Sequence, residues 1–338
     1  MQQKALKLTG SSVMISVDGE YQQIMKRFIL KRILSMIPVL FIVSVVIFSL
    51  VHLVPGDPAA AMLGDMATAE DIAALHARLG LDRPLVQQYF VWISNIFHGD
   101  FGDSVANHQT VASMILSHLE PTIHLTILAL IIAVLIAIPL GMIAATRKGS
   151  VVDHSVTVLS LLGISLPSFL LGLFLILVFA VRFKLLPSSG YVPMRQGFWL
   201  HLKSILLPAI ALGFMNAAFM MRMTRASLLE VLGNDYIRMA KAKGVREMAI
   251  VTVHAFKNTL VTIITVIGQS LVQSLSGAAV VESLFAIPGL GQLMVNSIGR
   301  RDYYVIQSIV LLIAVFNVIV NMFVDILYGV VDPRVRVS

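Results

Sequence analysis

The sequence predicts an all-α, polytopic membrane protein with six transmembrane helices and both termini in the cytoplasm. Three observations carry this. Of the 338 residues, 57% are apolar and only 13% charged, and the mean hydropathy is +0.88. That charged share is about half of what a soluble domain carries, so a soluble enzyme or nucleic-acid module would expose large sticky patches. Six separate runs are long and apolar enough to span a bilayer. The basic residues fall mostly on alternate connections between those runs.

The runs are Ile33–Val54, Thr122–Ala145, Val156–Val181, Ile205–Met221, Thr259–Val281 and Val305–Val331. A spanning helix needs about 20 predominantly apolar residues, and the fourth run is the shortest. Pro38, Pro139, Pro167 and Pro208 lie inside or near them. Neighbouring helices can satisfy the backbone groups that such prolines free, so each run is read as one span.

Orientation follows from charge. With the N-terminus inside, seventeen of the 25 basic residues fall on the cytoplasmic side, the densest group being Arg222 to Lys257. Eight fall outside, among them Arg182, Lys184, Arg195 and Lys203. The asymmetry favours this topology, and Arg182 and Lys184 run against it. The same rule explains the net charge of +7 without nucleic acid. The absence of cysteine excludes disulfides, thiolate metal sites and a cysteine nucleophile.

The longest extramembrane stretch is the outer segment 55–121, with eight acids against two bases. Thr68 and Asp71 form a helix-starting cap, Ile72, Leu75 and Leu79 recur at helical spacing, and Gly80 stops the run. A second amphipathic run follows Pro84, through Val86, Tyr89, Phe90, Ile93 and Phe97. Both read as short helices over the outer face. Residues 1–24 are polar and mixed, and read as a flexible extension before a natural start at Met25-Lys26-Arg27-Phe28. The transmembrane domain proper is then 25–338.

The cytoplasmic segment 224–257 reads as a short helix, a break at Gly244 and a second helix. Asn234 or Asp235 can cap the first helix, and Gly244 can take the left-handed conformation that ends it. Helix–glycine–helix makes a rigid knob for a soluble partner to grip. An ordinary basic loop fits the same pattern.

Asp235-Tyr-Ile-Arg-Met-Ala-Lys-Ala-Lys-Gly244 resembles the EAA coupling motif of bacterial ABC-importer permeases. Within them it is similar to the dipeptide/oligopeptide/nickel family, and in particular to the B-type subunit of dipeptide systems. The resemblance runs in order from Met25 to Arg336. It includes His52-Leu-Val-Pro-Gly-Asp-Pro58, Gly99-Asp-Phe-Gly102, Ser165-Leu-Pro-Ser168, Leu186-Pro-Ser-Ser-Gly190 and Val280-Val-Glu-Ser-Leu-Phe-Ala-Ile-Pro-Gly-Leu-Gly291. Two positions depart from it. Arg238 stands where the general motif has glutamate. Tyr304 stands where the family's Arg-Asp-Tyr-Pro has proline, read here as a change in loop stiffness.

The resemblance implies a type I importer fold, and peptide uptake across the bacterial cytoplasmic membrane by alternating access. It implies that Asp235, Tyr236, Arg238, Ala240, Lys241, Ala242 and Gly244 couple to an ATPase. It places Glu282, Pro288, Gly289 and Gly291 in an outer loop. It also implies partners: a homologous second permease, two cytoplasmic ATPases that bind ATP and Mg, and an extracytoplasmic solute-binding protein. This chain is then a non-catalytic subunit that binds no cofactor itself.

Polar residues within the spans are costly and ask for a reason. Gln269, Gln273 and Ser276 share one face of the fifth span and read as the lining of a solute path. Asn317, Asn321 and Asp325 share a face of the sixth and read as interhelical glue. Asp325 is read as the only carboxylate well inside a span, which argues against an ion-coupled secondary transporter. The nine histidines match no metal-ligand spacing, and no phosphate-binding loop occurs. The solute could equally be a nickel or metal-chelate or an opine. An intramembrane enzyme would need paired catalytic groups, which the sequence does not offer.

Overall fold

The computed structural model describes residues 29–49, 53, 58–63, 68–104 and 106–331. The expected extension at 1–24 and most of the His52–Pro58 motif lie outside them. In chain order the helices are α1 (Ile29–Ser49), α2 (Pro58–Leu63), α3 (Ala69–Leu79), α4 (Leu85–Phe97), α5 (Val111–Thr146) and α6 (Val151–Ser165). Then come α7 (Ser168–Leu175, prolonged by a π-helical turn over Ile176–Arg182), α8 (Phe198–Leu232) and α9 (Asp235–Ala242). Last are α10 (Glu247–Ala249), α11 (Phe256–Leu284), α12 (Leu290–Gly299) and α13 (Tyr303–Val331). A π-helical turn over Ile250–Ala255 joins α10 to α11, giving one apolar helix from Glu247 to Leu284.

Five of these helices are long and apolar enough to cross a membrane singly, and α6 with α7 makes a sixth as a bent pair. The expected straight span Val156–Val181 is therefore corrected. The chain turns by 102° between Ser165 and Ser168. Leu166 takes the extended conformation (φ −84°, ψ 119°) that a following proline imposes on its predecessor. Pro121, Pro139 and Pro208 by contrast sit inside unbroken helices.

The fourth span, expected over Ile205–Met221, is a 35-residue helix and the most buried of the set. Polar residues lower its hydropathy, and several of them are buried and bonded to neighbouring segments. Ser204 Oγ donates to the His201 carbonyl and accepts from the Val192 N–H, while Asn216 Nδ2 donates to Ser274 Oγ on α11 at 2.7 Å. Around α8 the packing uses small residues. Ala129, Ala133, Ala137, Gly141 and Ala145 recur every fourth position along α5, all buried. A Cβ on Gly213 of α8 would lie 2.5 Å from the Ala129 carbonyl oxygen. Backbones this close are what small residues permit between membrane helices.

The two short helices expected within 55–121 form where the sequence placed them. Thr68 Oγ1 accepts from the Asp71 N–H, and the Asp71 carboxylate accepts from the Thr68 N–H at 3.1 Å. The Thr68 hydroxyl also donates to that carboxylate at 2.6 Å, and this bond, with the one from the Thr68 N–H, holds the Asp71 carboxyl below its usual range. Gly80 closes α3 in the left-handed conformation (φ 66°). Tyr89 of α4 packs between Phe41 and Phe48 of α1 and bonds the Ser44 hydroxyl at 2.8 Å. The segment after α4 docks on the α12–α13 turn through Ser104 to Asp302 and Arg300 to Asn107. Tyr304 is corrected from loop to helix: it lies in the first turn of α13 with its ring against Gly102, which has φ 83°.

The connections gather at two ends of the bundle, as the alternation of spans requires. At one end Arg32 pairs with Asp325 at 2.9 Å. There too Ala145, Leu228, Ile237, Ile250 and Ala255 form one apolar cluster. At the other end Val111, Met114, Leu290, Leu293, Val305 and Ile309 form another.

Candidate functional site

The first candidate site is the knob formed by α9 and the turn after it. Asn234 occupies the N-cap with extended backbone (φ −72°, ψ 150°) but makes no side-chain cap bond, so the expected capping contact is absent from both candidates. Asp235 instead pairs with Arg238 at 3.5 Å, both side chains exposed. Such a surface pair contributes little to stability. The helix is held mainly by its apolar side. Ile237 is fully buried in the cluster with Leu228, Ile250 and Val251, and Ala240 packs against the same cluster.

Gly244 ends the knob with φ 77°. The Gly244 N–H donates to the Lys241 carbonyl, and the Val245 N–H to the Ala240 carbonyl at 3.2 Å. A Cβ at Gly244 would meet nothing within 4 Å. The glycine therefore serves the backbone conformation alone. Outward the knob presents Tyr236, Arg238, Met239, Lys241, Ala242 and Lys243. The Tyr236 hydroxyl accepts from Asn258 Nδ2 at 2.7 Å, which ties the knob to the root of α11.

The second candidate site is a cavity of about 500 Å³ between α6, α8, α11 and α13. Gln269, Gln273, Asn317 and Asn321 line it, together with Met215 and Phe219 of α8. Four carboxamides and no charged side chain thus face one space. Asn321 Nδ2 donates to Asn317 Oδ1 at 2.7 Å within α13 rather than to another helix. Of the expected glue residues, Asp325 alone reaches across, to Arg32 on α1. Ser276 does not line the cavity, and its hydroxyl donates to the Val272 carbonyl of its own helix. The repeated four-residue spacing of amides on both helices was the signal that could have joined α13 to α11 in one lining.

Of the residues expected in one outer loop, Glu282 lies instead on α11 and Gly291 on α12, with Pro288 and Gly289 in the turn between them, and together they form a capping device. Glu282, fully buried, accepts at its carboxylate from Thr122 Oγ1 at 2.6 Å and from the Gln292 and Gly291 N–H groups. Thr122 Oγ1 accepts in turn from the Leu290 N–H at 2.8 Å. The free N–H groups of the first turn of α12 are thereby met from α11 and α5. A Cβ on Gly289 would sit 2.3 Å from the Glu282 carboxyl, and one on Gly291 2.3 Å from the Ala279 Cα, so both glycines are set by close approach. Pro288 is exposed beside them. Asp153 is likewise buried, in a two-pronged pair with Arg225 and a bond from the Gly149 N–H. Among the described residues the buried carboxylates are Glu282, Asp153 and Asp302, each hydrogen-bonded within the structure, and Asp325 is half-buried in its pair with Arg32. Among the described residues, no group of histidines and acids is placed to hold a metal ion.

A helical bundle with a buried central helix, an exposed knob at one end and an amide-lined cavity has matches among known proteins. Residues 137–337 match the family model described as binding-protein-dependent transport system inner membrane component, and residues 25–126 match the N-terminal model of that group. The chain belongs to this family. It is a multi-pass inner-membrane permease component. It is 42% identical to a putative peptide transport system permease protein of Brucella abortus strain 2308, over 92% of this chain and 99% of the relative. It is 40% identical to the dipeptide transport system permease protein DppB of Escherichia coli K12, with the same coverage of both chains. The permease also superposes on a chain of the inward-facing MetNI methionine ABC transporter, with a TM-score of 0.54 and 19% identity, over 65% of this chain and 96% of that one. That likeness establishes the importer-permease fold.

Proposed function

We propose that this permease is the transmembrane subunit of an ATP-driven importer of peptides. The observation that carries the reading is the cavity lined by Gln269, Gln273, Asn317 and Asn321. Carboxamides each donate and accept, so they can replace water around a peptide group without selecting its side chains. A lining without charge offers no fixed ion to trap a zwitterion. The peptide-transport names of the two relatives support the same solute class.

In this reading α9 docks on a cytoplasmic ATPase, and two ATPases with bound ATP and Mg drive two homologous permeases. A solute-binding protein delivers peptide at the end opposite α9, and the termini lie in the cytoplasm. The chain performs no chemistry of its own. Each nucleotide state biases an assembly with two arrangements of the path. Reconstitution tests this. Labelled dipeptide uptake into vesicles should require the ATPases, ATP and the binding protein together. Uptake driven by an ion gradient without ATPases would instead make the chain a secondary transporter.

A further inference from the structure

Four of the basic residues that run against the charge rule sit on one connection. Arg182, Lys184, Arg195 and Lys203 all fall between the end of α7 and the first turns of α8, at the end opposite α9, and all are exposed. Along the chain no acid occurs from His154 to Leu229. Among the described residues, their cationic groups form no hydrogen bond or ion pair. The one acid that reaches this connection, Glu120 of α5, accepts from the Tyr191 hydroxyl at 3.0 Å.

The surface between the cations is aromatic. Phe183, Phe198 and Trp199 are 61%, 53% and 72% exposed. Along the chain Phe183 follows the exposed apolar residues Leu173, Phe174, Leu177 and Val181 of α7 and its π-helical turn, and Phe198 and Trp199, whose rings pack edge to face, open α8. An apolar flank that ends in aromatic rings, with cations just beyond, matches hydrocarbon, interface and headgroup in that order. The connection is also anchored, since the Gly190 N–H donates to the Phe285 carbonyl at 2.7 Å.

We propose that the connection Arg182–Lys203 is a binding site for anionic phospholipid headgroups in the leaflet opposite α9. The phosphates supply the counter-charge that the protein withholds, and the rings lie among the upper acyl carbons. An acidic face of a soluble partner would match the charges but leave the aromatic belt against water. The lipid also braces the far end of the bent α6–α7 span. The proposal rests only on the bundle spanning a membrane, so it stands or falls separately from the choice of solute.

Trp92 and Trp199 are the two tryptophans of the chain. Trp92→Phe therefore leaves Trp199 as a reporter inside the patch. The full-length variant is reconstituted in phosphatidylcholine vesicles that contain brominated phosphatidylglycerol or brominated phosphatidylcholine at equal mole fraction. The anionic lipid should quench Trp199 as though enriched about fivefold, a preference that falls with added salt. Replacing Arg182, Lys184, Arg195 and Lys203 together by glutamine should abolish the preference and preserve quenching by phosphatidylcholine, which shows that the chain still inserts. Arg195→Gln or Lys203→Gln alone should weaken it, so the outcome does not depend on the fourfold variant folding. Equal quenching by both lipids, or quenching by neither, overturns the proposal; the second result would place protein or water over the patch.

Discussion

At the scale of single residues, the hydroxyl of Thr122 stands between two buried polar groups. It donates to Glu282 and accepts from the Leu290 N–H. Thr122→Val keeps the shape and removes both bonds, leaving a buried carboxylate short of a donor and a helix N–H without an acceptor. The expected loss is about 2–4 kcal/mol, read as a lower midpoint of thermal unfolding in detergent. Thr122→Ser should recover most of it. Gly289→Ala should fail in another way, since its Cβ would overlap the Glu282 carboxyl; overpacking of this kind costs about 1–3 kcal/mol.

Local signals at this scale were legible. The Thr68–Asp71 box, the stop at Gly80 and the left-handed Gly244 are set by residues within four positions of one another, and all three are present. The bond from Thr122 to Glu282 spans 160 positions, and that from Arg225 to Asp153 spans 72. No periodicity encodes such pairs. Arg225 reads in sequence only as one more positive charge at the cytoplasmic end.

At the scale of elements, composition located the spans, and prolines and buried polar groups blurred their shape. Five prolines lie in or beside the candidate membrane-spanning helices, and only Pro167 coincides with a 102° turn. The difference lies in which helices pack beside each one, which sequence spacing does not record. On α8 the polar residues that depressed hydropathy are those that lock it to α11 and to the preceding connection. The close α5–α8 crossing gives a direct test. Gly213→Ala would press a methyl on the Ala129 carbonyl and should lower stability by about 1–3 kcal/mol, whereas Gly277→Ala, whose Cβ meets only Leu212 at 3.4 Å, should be mild. For the path, Gln269→Leu with Gln273→Leu should slow peptide uptake while leaving ATPase co-purification unchanged. Loss of co-purification would show instead that the two amides are packing groups. Ser276→Ala should change neither, because its hydroxyl is spent on its own helix.

For the whole molecule, the sorting of connections to two ends makes a topology that labelling can read. The chain has no cysteine, so Asn107→Cys and Lys243→Cys each carry one reactive thiol. An impermeant reagent on intact cells should label position 107 and spare 243; the reverse pattern would invert the proposed orientation. The fold class, the two ends and the knob were legible because charge and hydropathy accumulate over whole spans. The joint lining of the cavity by α11 and α13 was not, because it depends on how two distant helices rotate toward one space.

We infer that α9, fixed by Ile237 and ended by Gly244, carries force from the ATPase to the amide-lined path. A left-handed residue other than glycine costs about 1–2 kcal/mol, and asparagine tolerates the conformation best. Nothing near Gly244 would clash with a side chain, so variants there change the backbone preference and little else. The decisive measurement is ATP-driven uptake of labelled dipeptide, with ATPase co-purification, for Gly244→Asn, Gly244→Ala and Gly244→Val at matched membrane levels. Uptake should fall in that order, with asparagine near the parent and valine losing docking or separating ATP hydrolysis from transport. Full uptake by the valine variant would contradict the claim and reduce the knob to an ordinary loop.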